Sequence, residues 1–151
     1  MLASSLLACT TACNRTPGQE EGASTSDSGD TADEPNPSSG TWYGSLDVVT
    51  AEGEPVCGGY GYVAIADSGM INGDSSCIVL DAPGVETWGV LYDGWIDGDG
   101  GLTVTVTIDT GDADSGAFEA AGEGTADALS WAFTMTREGV EASGNVQMIP
   151  R

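Results

Sequence analysis

The 151-residue chain contains no histidine and no lysine, and its three arginines stand against 24 acidic residues, for a formal net charge of −21. Without histidine, the Ser-His and Cys-His nucleophile systems, the commonest general base and most zinc sites are excluded; without lysine, so is Schiff-base chemistry. Arg15, Arg137 and Arg151 are too few to neutralise a phosphate backbone. Nucleic acid is therefore not expected as a partner, and direct attraction to anionic membrane surfaces is disfavoured for the same reason. Large apolar side chains are also scarce and unevenly placed. Leu, Ile, Val and Phe number 27, yet residues 14–39 contain none of them and no aromatic residue. A stretch that buries nothing cannot offset the entropy of ordering. From Gly40 onward there are 24 such residues with all four Trp and all four Tyr, which suits one small core. The expected organisation is 1–13 as the remnant of a targeting segment, 14–39 as a disordered acidic linker and 40–151 as a folded domain.

The first residues, Met1-Leu2-Ala3-Ser4-Ser5-Leu6-Leu7-Ala8-Cys9, are small or apolar and uncharged. They read as the end of a signal peptide. Leu6-Leu7-Ala8-Cys9 resembles the bacterial lipobox, with a branched apolar residue three places before a cysteine and a small residue directly before it. The resemblance implies cleavage before Cys9, lipidation of its thiol and amine, and a membrane contact made through acyl chains. Each buried methylene is worth about 0.8 kcal/mol, so several chains anchor where one does so only marginally. Thr10-Thr11-Ala12-Cys13 offers Cys13 as the alternative, but with threonine at the apolar position. Eight residues before Cys9 and no positive n-region predict a natural start further upstream. The implied location is the envelope of a Gram-negative-type bacterium, with Thr10 rather than aspartate after Cys9 fitting the outer membrane. The arm of about 26 residues that follows has a flexible-coil reach of roughly 28 Å. Its acids, Glu20, Glu21, Asp27, Asp30, Asp33 and Glu34, read as solvation rather than as a metal site.

Beyond Gly40 the apolar residues alternate with period two, the signature of strands with one buried face. Leu102, Val104, Val106 and Ile108 form one stripe, and Leu129, Trp131, Phe133 and Met135 another. Trp42, Leu46 and Val48, then Trp88, Val90, Tyr92 and Ile96, then Val140, Ala142, Val146 and Met148 complete five. Turn residues separate these runs at Asp67-Ser68-Gly69, Gly98-Asp99-Gly100-Gly101, 111–116, Ala126-Asp127 and Glu138-Gly139. Connections this short join antiparallel neighbours. The prediction is an all-β antiparallel meander of about eight strands, near 41–49, 57–66, 70–80, 87–97, 102–110, 117–125, 129–136 and 140–149. An up-and-down β-barrel hides both edges; a two-sheet β-sandwich is the alternative.

Cys57 and Cys77 are equidistant from Asp67, so a hairpin centred there sets them directly opposite each other on a shared face. In an exported protein they should form a disulfide, which would stabilise by roughly 2–4 kcal/mol. Gly40-Thr41-Trp42-Tyr43-Gly44-Ser45-Leu46 resembles the opening strand of avidin-type barrels and lipocalins, whose Gly-x-Trp closes one barrel end. Asp67-Ser68-Gly69-Met70-Ile71-Asn72-Gly73 is similar to a hairpin common in such meanders. Gly44 stands where the biotin-binding members carry asparagine, so the resemblance implies topology and not a biotin site.

Three constellations carry chemistry. Asp97 and Asp99, with Asp93 beside them, and Asp112 and Asp114, with Asp109, are dense enough for Ca²⁺ if their loops meet. No complete EF-type loop surrounds them, and turn chemistry is the preferred reading, with no cofactor. Paired carboxylates run glycoside hydrolysis without histidine, but the acids here fall in turns, the linker or polar faces, and no catalytic site is expected. Tyr43, Tyr60, Tyr62 and Trp95 fall on the outward parity, where rings stack on sugars, pack on a partner or merely cover the barrel. The expected role is that of a non-enzymatic envelope lipoprotein with a structural or surface-interaction function and an unidentified protein or glycan partner. The alternatives are a module binding carbohydrate or a small apolar ligand in the barrel mouth, and a calcium-stabilised adhesion domain.

Overall fold

The computed structural model describes residues 35–80 and 82–151. Cys9, Cys13 and the arm as far as Glu34 lie outside the described residues. Eight strands follow in order: β1 Gly40–Thr50, β2 Pro55–Ile65, β3 Met70–Val79, β4 Thr87–Ile96, β5 Gly101–Asp109, β6 Gly116–Gly124, β7 Leu129–Arg137 and β8 Val140–Pro150. Each pairs antiparallel with its sequence neighbours, and β1 pairs with β8, closing an up-and-down barrel. The period-two stripes point inward as the sequence predicts, and the interior is filled by side chains from every strand, among them Trp42, Leu46, Val63, Ile71, Trp88, Val104, Ala120, Trp131 and Met148. Eight strands enclose just enough space for side chains. The outward faces carry mainly Ser, Thr, Asp, Glu and small residues. That alternation is the reverse of a membrane-spanning barrel, whose outer band is apolar. Val140 departs from its stripe: it directly follows the Glu138-Gly139 turn, beyond the packed interior, and is exposed.

Glu138 and Gly139 both have positive φ, 50° and 80°, the backbone of a two-residue hairpin turn whose twist matches its strands. Closure depends on inward-facing glycines. A Cβ on Gly44 would lie 1.7 Å from the Gln147 carbonyl oxygen of β8, and one on Gly122 would lie 1.9 Å from that of Ser130 in β7. The strands coil this tightly only because those positions have no side chain.

The Cys57–Cys77 disulfide is present, with Cα atoms 5.5 Å apart, but the expected pairing is off by two residues, so parity is kept. The β2–β3 loop is centred on Ser68 and not on Asp67, so Cys57 faces Val79 and Cys77 faces Gly59. The bond runs diagonally. Three residues, Asp67-Ser68-Gly69, form the loop tip, with Gly69 at φ 94°, and counting from Asp67 misplaces its middle. Diagonal neighbours usually stand about 7–8 Å apart. Here Gly59, whose missing Cβ would sit 1.8 Å from the Ser76 carbonyl oxygen, lets β2 and β3 approach closely enough to bridge.

The linker prediction also needs correction at its end. Pro35 to Ser39 belong to the barrel, not to the arm. The Asn36 backbone N–H donates to the Asp67 carbonyl, its Nδ2 to the Ile96 carbonyl, and the Ser38 hydroxyl to the Thr125 carbonyl. One short segment thus ties the β2–β3, β4–β5 and β6–β7 loops together. The Trp42 indole N–H donates 2.9 Å to the Ser38 carbonyl beneath them. Asn36 and Ser38 are buried, and composition alone gave no sign of it because both are ordinary linker residues. At the other end the Arg137 guanidinium lies 4.9 Å from the centre of the Trp88 ring, whose N–H donates to Glu86 Oε1.

Candidate functional site

Strand register places the outward side chains of β1 to β5 in rungs across the barrel. One rung runs Tyr43, Tyr62, Asp74, Leu91, Thr107; the next runs Ser45, Tyr60, Ser76, Gly89, Asp109. Bulky rings and Leu91 crowd the first, whereas Ser76 and Gly89 leave the second low. The result is a groove of about 630 Å³ on the flank, floored by the backbone at Gly61 and Gly89 and by Ser76. Tyr43 and Tyr62 stand with ring centres 6.2 Å apart and planes tilted 41°. Tyr60 is 81% exposed at the groove's edge. A Cβ added at Gly89 would meet nothing within 4 Å, so the space above it is open.

The groove's charge has one sign. The Asp74 carboxylate faces Tyr62 across the β2–β3 pair, and its negative charge beside the Tyr62 hydroxyl raises that phenol above its ordinary value of 10. Asp109 is held at the far end by the Gly111 N–H, 3.0 Å from its Oδ1, and by the Ser115 hydroxyl. On the other side of Tyr43, the Arg151 guanidinium lies 5.6 Å from the ring centre and donates to its hydroxyl.

The structure therefore gathers Tyr43, Tyr60 and Tyr62 and leaves Trp95 apart. Trp95 is outward and half-exposed as expected, but it lines a separate hollow of about 880 Å³ at the closed end, against Pro35, Pro37 and Asp97. Residues the sequence reading missed are Asp74, Leu91 and Gly89. Their parity was legible; their shared rungs depend on a register that no local pattern reports.

Beneath the groove lies a polar pair inside the barrel. The Ser75 and Tyr92 hydroxyls are 2.6 Å apart, and burial pushes the Tyr92 phenol up to about 12 against the smaller lowering effect of Ser75. Around this pair the interior of the barrel is filled by packed apolar side chains.

The calcium candidates do not meet. Asp97 and Asp99 lie in the β4–β5 loop and Asp112 and Asp114 in the β5–β6 loop, at opposite ends of β5. Nine strand residues separate them, about 30 Å at the usual rise. Asp97 Oδ1 instead accepts from the Asp99 and Gly101 N–H groups, and Asp112 Oδ1 from the Thr110 hydroxyl and the Asp114 N–H. Those two bonds, the Thr110 one foremost, hold the Asp112 carboxyl below its ordinary value. Among the described residues, no three acids or cysteines are placed to hold a metal ion.

No family model, characterised protein or solved structure matches the chain.

Proposed function

We propose that the chain is a non-enzymatic surface-interaction protein of a bacterial envelope, lipid-anchored at Cys9, whose barrel presents a binding groove on its flank. The observation that carries the binding role is the assembly of Tyr43, Tyr60, Tyr62 and Leu91 around a low glycine floor. Scattered exposed apolar residues are ordinary, but rings grouped on a concave surface supply large contact area at low entropic cost. The Asp74 and Asp109 carboxylates face water, which suits recognition rather than acid catalysis. The anchor rests on Leu6-Leu7-Ala8-Cys9, and the acidic stretch after it serves as a tether.

Two measurements test this reading. Immobilised full-length protein is screened against glycan and peptide arrays beside Gly89→Trp, which fills the groove. At least one ligand class should bind wild type and lose binding in the variant; no variant-sensitive binding to either array would sink the binding role. For the anchor, a fatty-acid analogue supplied to cells expressing the chain with a full signal peptide should label it. Cys9→Ser should abolish the label, whereas loss only in Cys13→Ser would move the anchor to the second cysteine.

A further inference from the structure

Resting on that reading, the groove's chemistry narrows the partner. Its side chains supply hydroxyls, carboxylates and ring faces; among Tyr43, Tyr60, Tyr62, Asp74, Ser76 and Asp109 there is no nitrogen donor and no positive charge. Its hydroxyls can donate as well as accept, but both of its charged groups are carboxylates, so its charge is matched to a cation. A ligand matched to this groove donates, carries positive charge and has an apolar portion.

Charge complementarity points the same way. The chain's net charge of −21 steers cations toward it from a distance. The protein's own Arg151 sits on Tyr43, at the edge of the same aromatic row, so a guanidinium already occupies one of these faces. Aromatic faces attract cations most strongly where water is partly displaced, and Leu91 gives an aliphatic stem something to cover. We propose that the flank groove docks a basic segment of a partner protein, laying an arginine or lysine head over Tyr60 and Tyr62 between Asp74 and Asp109 and its stem along Leu91.

The experiment titrates the full-length chain at about 0.15 M salt, where surface attraction is screened beyond roughly 8 Å. The probes are a blocked tetra-arginine peptide, a blocked tetra-lysine peptide, spermine and a neutral hexasaccharide. Both peptides should bind, arginine more tightly. Their affinity should fall about tenfold or more in Gly89→Trp and in Tyr60→Ala/Tyr62→Ala, and about threefold in Asp109→Asn. Glu119→Gln/Glu123→Gln, which removes two charges from β6, should change it by less than about twofold. Equal losses in the β6 and groove variants would mean diffuse attraction and overturn the proposal. Spermine binding as tightly as tetra-arginine would replace the protein segment with a small polyamine. Saccharide binding sensitive to Gly89→Trp, with peptides indifferent to it, would overturn the cationic ligand while leaving the binding role intact. No variant-sensitive binding by any probe would end both.

Discussion

The flank formed by β1 to β5 and the flank formed by β6 to β8 obey the same inside-outside alternation and differ in almost everything else. The first carries tyrosines and Leu91 over a groove; the second presents Ala121, Glu123, Ser130, Ala132, Asn145 and Gln147 around a smaller, more polar hollow of about 330 Å³. Their linings differ as well. Beneath the groove lie the Cys57–Cys77 disulfide and the buried Ser75–Tyr92 hydrogen bond. Beneath the polar flank, Trp131 packs edge-on against Tyr92, and its indole N–H has no hydrogen-bond partner among the described residues. The surface proposed for contact is thus the one with the disulfide and the buried hydroxyl pair behind it. A braced wall presents its rings already ordered, so binding loses less conformational entropy.

Breaking the covalent brace should have the largest effect. Cys57→Ala/Cys77→Ala should cost roughly 2–4 kcal/mol, with amide exchange in β2 and β3 accelerating more than in β7 and β8. Equal acceleration on both flanks would erase the contrast. The buried hydroxyl pair comes next, through pH. Tyr92 has a folded value of about 12 against 10 when unfolded, so its contribution is complete below pH 10 and is lost as pH rises toward 12. That loss should be roughly 2–3 kcal/mol. Denaturant midpoints from pH 9 to 12 should fall in wild type and fall much less in Tyr92→Phe, which should itself cost about 1 kcal/mol at neutral pH by stranding the Ser75 hydroxyl. Asn36→Ala removes the link from the entry segment to the Ile96 carbonyl and should cost about 1–2 kcal/mol, measured by thermal unfolding. The smallest stability effects belong to the outer faces: Gly89→Trp and Ala132→Trp should each stay within about 0.5 kcal/mol of wild type. Only Gly89→Trp should alter binding.

Most of the barrel was readable residue by residue, because a half-buried strand writes its pleat into the alternation of side chains. Trp131, Phe133 and Met135 had to share a face, and the Glu138-Gly139 pair had to turn. Register was harder. It depends on whether a loop is centred on Asp67 or Ser68, a difference of one residue with no hydrophobic signature; the cysteine pairing survived the error because a diagonal bridge also lies on the inner face. The groove was half legible: parity put Tyr43, Tyr60, Tyr62 and Trp95 outside, but only the rungs separate Trp95 from the others. Asn36 and Ser38 were invisible, since their burial comes from three loops distant in sequence. The calcium pairing failed on direction. Successive loops of a meander alternate between the two ends, so acids flanking a single strand stand apart.

The β1–β8 ladder bears on when the protein acquires its structure. Trp42 pairs with Pro150 and Thr50 with Ala142, so the seam that makes the barrel joins the first of these strands to the last one synthesised. Until β8 has emerged, β1 and β7 each carry an unpaired edge, the kind of surface through which nascent chains associate wrongly. Seven strands make an open sheet and only the eighth completes it. A chain threaded through a membrane in N-to-C order would therefore be kept from folding early by its own topology.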